Sequence, residues 1–254
     1  MVPFVNKPVL AHVINLLQYH GFSEVVITVQ YLANQIQDYF GDGSHLGMTI
    51  HYAREEKPLG TAGSVRNARR YLGNETCLVM SGDAITDIDL SRVLQFHQQK
   101  GAQATLALKQ IDDPGEYGVV TTDTEGRIRE YIEKPKNGLV LSHTVNTGIY
   151  VLEPEVFNYI KPNEVCDFSY DVFPALLRDN RPVYGYLADG YWCDMGTLQT
   201  YLQAMADMLA GKVQHIDPKV QMGCSRCADQ GKKSAIHPSL YQVALEAGYK
   251  LAGW

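Results

Sequence analysis

Two hydrophobic rhythms alternate through the first part of the chain. The stretch "NKPVLAHVINLLQYHG" sets Val9, Leu10, Val13, Ile14 and Leu17 on one face at helical spacing, and predicts a helix. Asn6 is expected to cap it, Pro8 suits its first turn, and Gly21 stops it. The apolar run "EVVITVQY" then reads as a buried strand and "LANQIQDYFGDG" as a helix ending in glycines. The alternation continues with "MTIHYAR" (strand), "AGSVRNARRYL" (helix), "CLVMS" (strand), "LSRVLQFHQQKG" (helix) and "ATLALK" (strand). Such repetition predicts a mostly parallel α/β sheet covered by helices on both faces, with ligands bound beyond the carboxyl ends of its strands.

After residue 110 the rhythm changes. "YGVVTTDTEGRIREYIEK" reads as two strands joined around Thr124-Glu125-Gly126, and "TVNTGIYVLE" as a third, followed by a short helix in "PEVFNYI". "SYDVFPALLRD" is helical with Pro174 awkwardly inside it, "PVYGYLA" and "GYWCDMG" are strands, and "LQTYLQAMADMLAG" is a helix. This half predicts a mixed extension of the sheet that holds a second substrate. From Lys212 the pattern fades. "HIDPKVQMG" and "AIHPSL" are faintly similar to turns of a left-handed β-helix, but two fragments do not make a repeat. Residues 1–211 are therefore read as the folded domain and 212–254 as a poorly specified tail.

Composition narrows the function. Of 254 residues, 45% are hydrophobic and 20% charged, enough apolar material for a substantial core. A formal net charge of −6 argues against a sequence-independent grip on nucleic acid. Any phosphate-bearing ligand then depends on local lysines, backbone amides or a metal. No apolar run approaches the roughly 20 residues of a membrane helix, and no secretory pattern opens the chain. The five cysteines are odd in number and mostly dispersed, which fits reduced thiols in the cytoplasm. Cys224 and Cys227 form half of a zinc site without a second half, His237 being too isolated.

Five segments can carry chemistry. In "LVMSGDAITDIDL" a buried strand ends on Ser81-Gly82-Asp83, with Asp87 and Asp89 close behind. Asp89 reads as the cap of the helix starting near Leu90, whereas Asp83 either is structural or holds a cation. A Mg²⁺ site needs one or two carboxylates plus phosphate oxygens, and Asp194 in "GYWCDMGT" is a second acid at a strand end, with Thr197 available as a helix cap. In "EKPLGTAGSV" small residues Gly60 to Gly63 enter a helix, where backbone can approach a base or a phosphate closely. Glu133 and Lys134 in "IEKPK" could bind hydroxyls and a phosphate, or simply be solvated. Asn146 and Thr147 in "VNTGIYV" are polar groups in an apolar strand that need partners if buried.

Taken in order, "PLGTAGSV", "VMSGDAITDIDL", "EYGVV", "EKP", "VNTGIYVLEPEVF", "CDFSYDVFPALL" and "GYWCDMGT" resemble the sugar-1-phosphate nucleotidyltransferases, over residues 1 to 210. The likeness is strongest to the bacterial mannose-1-phosphate guanylyltransferases, through Leu59-Gly60-Thr61-Ala62-Gly63 and the Cys-Asp-Phe-Ser and Tyr-Trp-Cys-Asp forms. The resemblance implies a Rossmann-like, GT-A-like sheet and transfer of a nucleotidyl group from GTP to mannose-1-phosphate, releasing pyrophosphate. It implies that Asp83 and Asp194 hold Mg²⁺ and that Leu59, Gly60, Thr61, Ala62, Gly63 and Gly82 line the nucleotide. Gly118, Glu133, Lys134, Asn146 and Thr147 would surround the sugar phosphate, with Asp83, Lys134 and Asp194 acting in catalysis.

One departure stands out. The family opens on a strand, a Gly-x-Gly-Thr-Arg loop and a lysine, whereas "MVPFVNKPVL" matches a later point, and Lys7 is no substitute. The resemblance thus implies a sheet lacking an interior first strand, with unpaired backbone, and impaired turnover by this chain. It leaves room for a non-catalytic sugar-nucleotide-binding subunit, for a homo-oligomer or pairing with a full-length homologue, and for uridylyl or thymidylyl transfer to glucose-1-phosphate. A dinucleotide-binding oxidoreductase fails for want of a GxGxxG after a strand.

Overall fold

The computed structural model describes residues 1–135, 142–214 and 242–246. It opens on a hairpin, β1 (Pro3–Phe4) and β2 (Lys7–Pro8), whose turn holds Val5 and Asn6 at positive φ. Asn6 therefore turns a hairpin and does not cap the next helix. Asparagine tolerates the left-handed conformation such a turn demands, and Pro8 takes the cap position of α1 (Val9–Tyr19) without a side-chain bond. The predicted alternation follows as β3 (Glu24–Val29), α2 (Ala33–Phe40), β4 (Thr49–Arg54), α3 (Gly60–Asn67), α4 (Arg69–Leu72) and β5 (Cys77–Ser81). Next come β6 (Ala84–Thr86), α5 (Leu90–Lys100) and β7 (Ala104–Gln110). The Asp89 side chain accepts from the Arg92 N–H at 3.1 Å and caps α5 as expected.

The second half contains β8 (Gly118–Thr122), β9 (Ile128–Glu133) and β10 (Thr144–Leu152). A 3₁₀ segment Pro154–Tyr159 leads to a wide π turn over Phe168–Val172 and then α6 (Phe173–Arg178). Pro174 falls in the first turn of α6, where its missing N–H is not needed, so it is not awkward there. β11 (Val183–Leu187), β12 (Trp192–Asp194) and α7 (Leu198–Leu209) follow, α7 being capped by Thr197 through Thr200. The tail contributes β13 (Gln242–Glu246). The β-helix-like fragments 215–223 and 235–240, and the pair Cys224 and Cys227, lie outside the described residues.

The main sheet runs β11-β7-β10-β5-β13-β3-β4, with β8 and β9 extending from β10. β11 and β7 are parallel, as are β5, β13, β3 and β4; β10 alone runs antiparallel between β7 and β5. Its central strands are buried on both faces. Val25, Ile27, Leu78 and Met80 pack toward α1, α2 and α5, while Val26, Cys77 and Val79 join a second cluster with Ala62, Val65, Phe168 and Phe173. The expectation of an empty interior strand position is corrected: β13 occupies a place between β3 and β5 and is paired to both. β6 and β12 form a separate antiparallel ribbon just beyond the carboxyl end of β5.

Candidate active site

The carboxyl ends of β5, β3 and β4 share one edge, and β10 enters the sheet from it. There β5 ends at Ser81, buried Gly82 follows, and the Ser81 hydroxyl bonds the Asp83 carboxylate. The ribbon brings the second acid alongside: Asp194 stands opposite Ala84, one step in register from Asp83. Burial pushes the Asp194 carboxyl upward, while the Lys134 ammonium and the Gly196 N–H pull it back in part. The Lys134 ammonium therefore lies within electrostatic range of Asp194 although 60 residues separate them in sequence. Asp87 serves the ribbon instead, accepting the Tyr191 and Gln214 N–H groups.

A polar cluster completes this side. Gly118 pairs with Glu133 across β8 and β9, and period-two alternation places Tyr131 and Glu133 on one face of β9. The Tyr131 hydroxyl lies 2.8 Å from Glu133 Oε2, 2.7 Å from Ser169 Oγ and 3.1 Å from Asn146 Nδ2. Burial and the Glu133 charge raise its pKa, so it stays a neutral phenol. A Cβ on Gly118 would stand 2.2 Å from the Tyr131 hydroxyl, so only glycine leaves room for this hub. Asn146 also donates to the Tyr150 hydroxyl at 2.8 Å and accepts from the Gly148 N–H. Lys134 is exposed at φ 44°, a conformation unusual for a side chain with Cβ, and its N–H is held by the Tyr117 carbonyl at 3.1 Å. Tyr117 packs edge-on against Trp192, whose indole N–H donates to the Thr147 carbonyl at 3.0 Å. Trp192 thus links the ribbon that carries Asp194 to the interior of β10 at Thr147. The buried Thr147 hydroxyl itself turns inward to the Ala107 carbonyl.

The glycine-rich helix entry lies beyond β4. Its close approach is to the chain's own backbone: a Cβ on Gly60 would fall 2.5 Å from the Cys166 carbonyl oxygen, and one on Gly63 2.9 Å from that of Glu164. Leu59 and Gly63 pair with Cys166 through backbone bonds of 2.8 and 3.0 Å. The Thr61 hydroxyl donates to Asp167 and accepts from the Phe168 N–H, both at 2.9 Å. Leu59 and Ala62 are buried, so their side chains serve the core. The structure thus brings Asp83, Glu133, Lys134, Asn146 and Asp194 together at the sheet edge, whereas Leu59–Gly63 stands apart after β4, against Cys166–Phe168. The sequence reading missed Tyr131, Ser169, Asp167 and Tyr117. Tyr131 was findable from its two-residue spacing to Glu133; Ser169 and Asp167 approach only through tertiary packing.

Two neighbouring acids, Asp83 in the turn before β6 and Asp194 at the end of β12, the latter with its charge disfavoured by burial, suit a cation completed by phosphate oxygens. No group of three or more metal-binding side chains converges among the described residues, so ligand oxygens would have to supply the remaining coordination.

Fold and residue cluster together define the class: a Rossmann-like α/β protein whose candidate ligand site lies at the carboxyl edge of a mostly parallel sheet. The family model described as nucleotidyl transferase matches residues 1–211, and the chain belongs to that family. It is 35% identical over 229 residues to a UTP–glucose-1-phosphate uridylyltransferase of Synechocystis, covering 85% of this chain and 59% of that one. It is 36% identical over 212 residues to a mannose-1-phosphate guanylyltransferase of Mycobacterium tuberculosis, covering 83% and 58%. The chain thus spans about three-fifths of the length of these relatives. Its fold matches that of HddC from Yersinia pseudotuberculosis with a TM-score of 0.71 at 22% identity, covering 82% of this chain and 88% of that one.

Proposed function

We propose that the chain binds a nucleoside triphosphate and a sugar-1-phosphate at this sheet edge and serves nucleotidyl transfer between them, with GTP and mannose-1-phosphate as the preferred pair. The observation that supports the reading is the register that sets Asp194 beside Asp83 at the sheet edge, with Lys134 within electrostatic range and the Tyr131–Glu133–Asn146 cluster on the same side. In the reaction, an oxygen of the sugar-1-phosphate attacks the α-phosphorus in line. The bond from that phosphorus to the bridging oxygen breaks, and pyrophosphate leaves. Lys134 neutralises the sugar phosphate, and Glu133, oriented by Tyr131, accepts sugar hydroxyls. Asn146 fixes the ring from the opposite strand, and the Leu59–Gly63 backbone reads the base. Asp83 and Asp194 would hold Mg²⁺, which supplies charge neutralisation between the two phosphates. The work left to the protein is positioning and electrostatics.

The guanine and mannose preference is supported by the likeness to the guanylyltransferase. The similar identity to the uridylyltransferase favours a second reading, glucose-1-phosphate uridylyl or thymidylyl transfer at the same site. Among the described residues the thiols of Cys77, Cys166 and Cys193 are free, which supports a reducing compartment such as the cytoplasm. Calorimetry with GDP-mannose and UDP-glucose separates the readings, since a site that hydrogen-bonds one base edge rejects the other strongly. Tighter UDP-glucose binding would reject the guanine assignment. A pyrophosphate-release assay with each triphosphate and sugar phosphate then tests turnover. The 254 residues contain no Gly-x-Gly-Thr-Arg loop, so binding is the first readout and rate the second.

A further inference from the structure

β13 is the last strand in sequence among the described residues and yet lies inside the sheet. Val243 stands in register with Val25 and Leu78, Ala244 with Val26 and Val79, Leu245 with Ile27 and Met80, and Glu246 with Thr28 and Ser81. It is parallel to both neighbours, and Ala244 is fully buried in the cluster that holds Val26, Val79, Ala62 and Val65, beneath α3. Without it, β3 and β5 would face each other about 10 Å apart, two strand spacings, with a row of unpaired amides and carbonyls on each side. The position also divides the candidate site. The Leu59–Gly63 turn follows β4 on one side, whereas Asp83, Lys134, Asn146 and Asp194 belong to the β5–β10 side. Glu246 ends the strand level with Ser81, at the ligand edge.

We propose that the interval between β3 and β5 is a strand-acceptor slot, and that the C-terminal segment Gln242–Glu246 is its docked occupant, setting the separation between the two halves of the site. Any occupant must be an apolar extended segment entering parallel to both walls, with a small residue where Ala244 passes under α3. The clasp from Leu59, Thr61 and Gly63 to Cys166, Asp167 and Phe168 also joins the halves. Loss of β13 therefore loosens the sheet at one seam while the halves stay tethered. The slot stands on register and burial alone; only its coupling to ligand rests on the proposed function.

The test is amide hydrogen exchange on the full chain. In the unmodified protein the amides of Val243 to Leu245 should exchange as slowly as those of Leu78 to Met80. Loop-like exchange at Val243 to Leu245, with β3 and β5 still protected, would overturn the proposal. In Ala244→Pro, which removes a ladder donor, the slot-facing amides of β3 and β5 should lose protection at least a hundredfold while β7, β10 and β11 keep theirs. An excess of a peptide carrying residues 240–248 should restore it. Unchanged exchange in Ala244→Pro would also overturn the proposal, as would a dimer whose exchange pattern depends on concentration, since a second copy would then supply the strand. If the variant unfolds altogether, the unmodified chain decides. Sugar-nucleotide affinity should fall at least tenfold in Ala244→Pro. Seam opening with no ligand bound even by the unmodified chain would retain the slot and refute the functional reading.

Discussion

Replacing Gly118 by alanine adds one methyl group at the point where β8 faces the hub of the site. That methyl would lie 2.2 Å from the Tyr131 hydroxyl oxygen, 2.8 Å from its Cζ and 2.6 Å from Glu133 Oε2. Tyr131 has little room to yield, because its hydroxyl meets Glu133, Ser169 and Asn146 and its ring packs on Phe173 at 5.6 Å. Overpacking of this kind costs about 1–3 kcal/mol, and each hydrogen bond lost from the displaced hydroxyl adds about 1 kcal/mol. A net loss of about 2 kcal/mol would lower Tm by about 4–8 °C in a chain of this size. Thermal and urea unfolding read that loss, and calorimetry should show sugar-nucleotide affinity falling at least tenfold as Glu133 loses its orienting partner. The decisive control is Tyr131→Phe, which removes the atom struck hardest. In the double variant the alanine should cost about 1 kcal/mol less than it does alone, a coupling well above the ~0.3–0.5 kcal/mol scatter of independent sites. Additive losses would refute the claim that Gly118 exists to admit the Tyr131 hydroxyl.

Other consequences follow from the same geometry. Thr61→Val keeps the shape but removes the bonds to Asp167 and the Phe168 N–H, and should cost about 1–3 kcal/mol in urea unfolding; no change would mean that the clasp carries no weight. Burial holds the imidazoles of His12 and His97 below the ordinary value, although Phe4 and Glu153 oppose the shift. The unfolded chain then binds more protons than the fold from those lowered values up to about 6.5. Urea midpoints should therefore fall as pH drops through that window, and His97→Gln should flatten the slope; a midpoint rising with acid would contradict the assignment. Asp194 has the opposite sign. Its carboxyl is raised by burial, so the ligand-free fold binds the extra proton and loses stability as pH rises from the ordinary carboxylate value through the raised one. Asp194→Asn should therefore raise Tm at neutral pH without ligand while abolishing Mg²⁺-dependent binding. A lowered Tm would show that the carboxylate is a structural partner.

Much of this was legible in the chain. Strands such as β3 and β5 are mostly apolar runs, and α1 and α5 carry clear helical stripes, so the parallel sheet follows from pattern alone. Asp89 and Thr197 cap α5 and α7 because their side chains satisfy local donors, an interaction confined to a few residues. Asn6 misled because capping and tight-turn chemistry draw on the same residues, and the two-residue hairpin before α1 left no periodicity to read. β13 escaped notice because five residues in a weak pattern gain their strand only from neighbours about 160 to 220 positions away. The site divides along the same line. Asp83, Asp194, Glu133 and Lys134 stand at strand ends flanked by glycine or proline, and strand ends can be read. What could not be read is that the close approach allowed by Gly60 and Gly63 is spent on Cys166 and Glu164, a contact between segments about 100 residues apart.

The central claim is that a phosphate ester binds where Lys134 faces Asp194. Isothermal titration of the unmodified chain and of Lys134→Ala with GDP-mannose in the presence of Mg²⁺ tests it most directly. The Lys134 side chain is exposed and makes no hydrogen bond among the described residues, so its removal should leave Tm within about 1 °C, as for an ordinary surface substitution. A charge-assisted contact to phosphate is worth about 1.5–3 kcal/mol, so affinity should fall by about 10- to 150-fold. Equal affinity in the two proteins would contradict the account and place the ligand elsewhere.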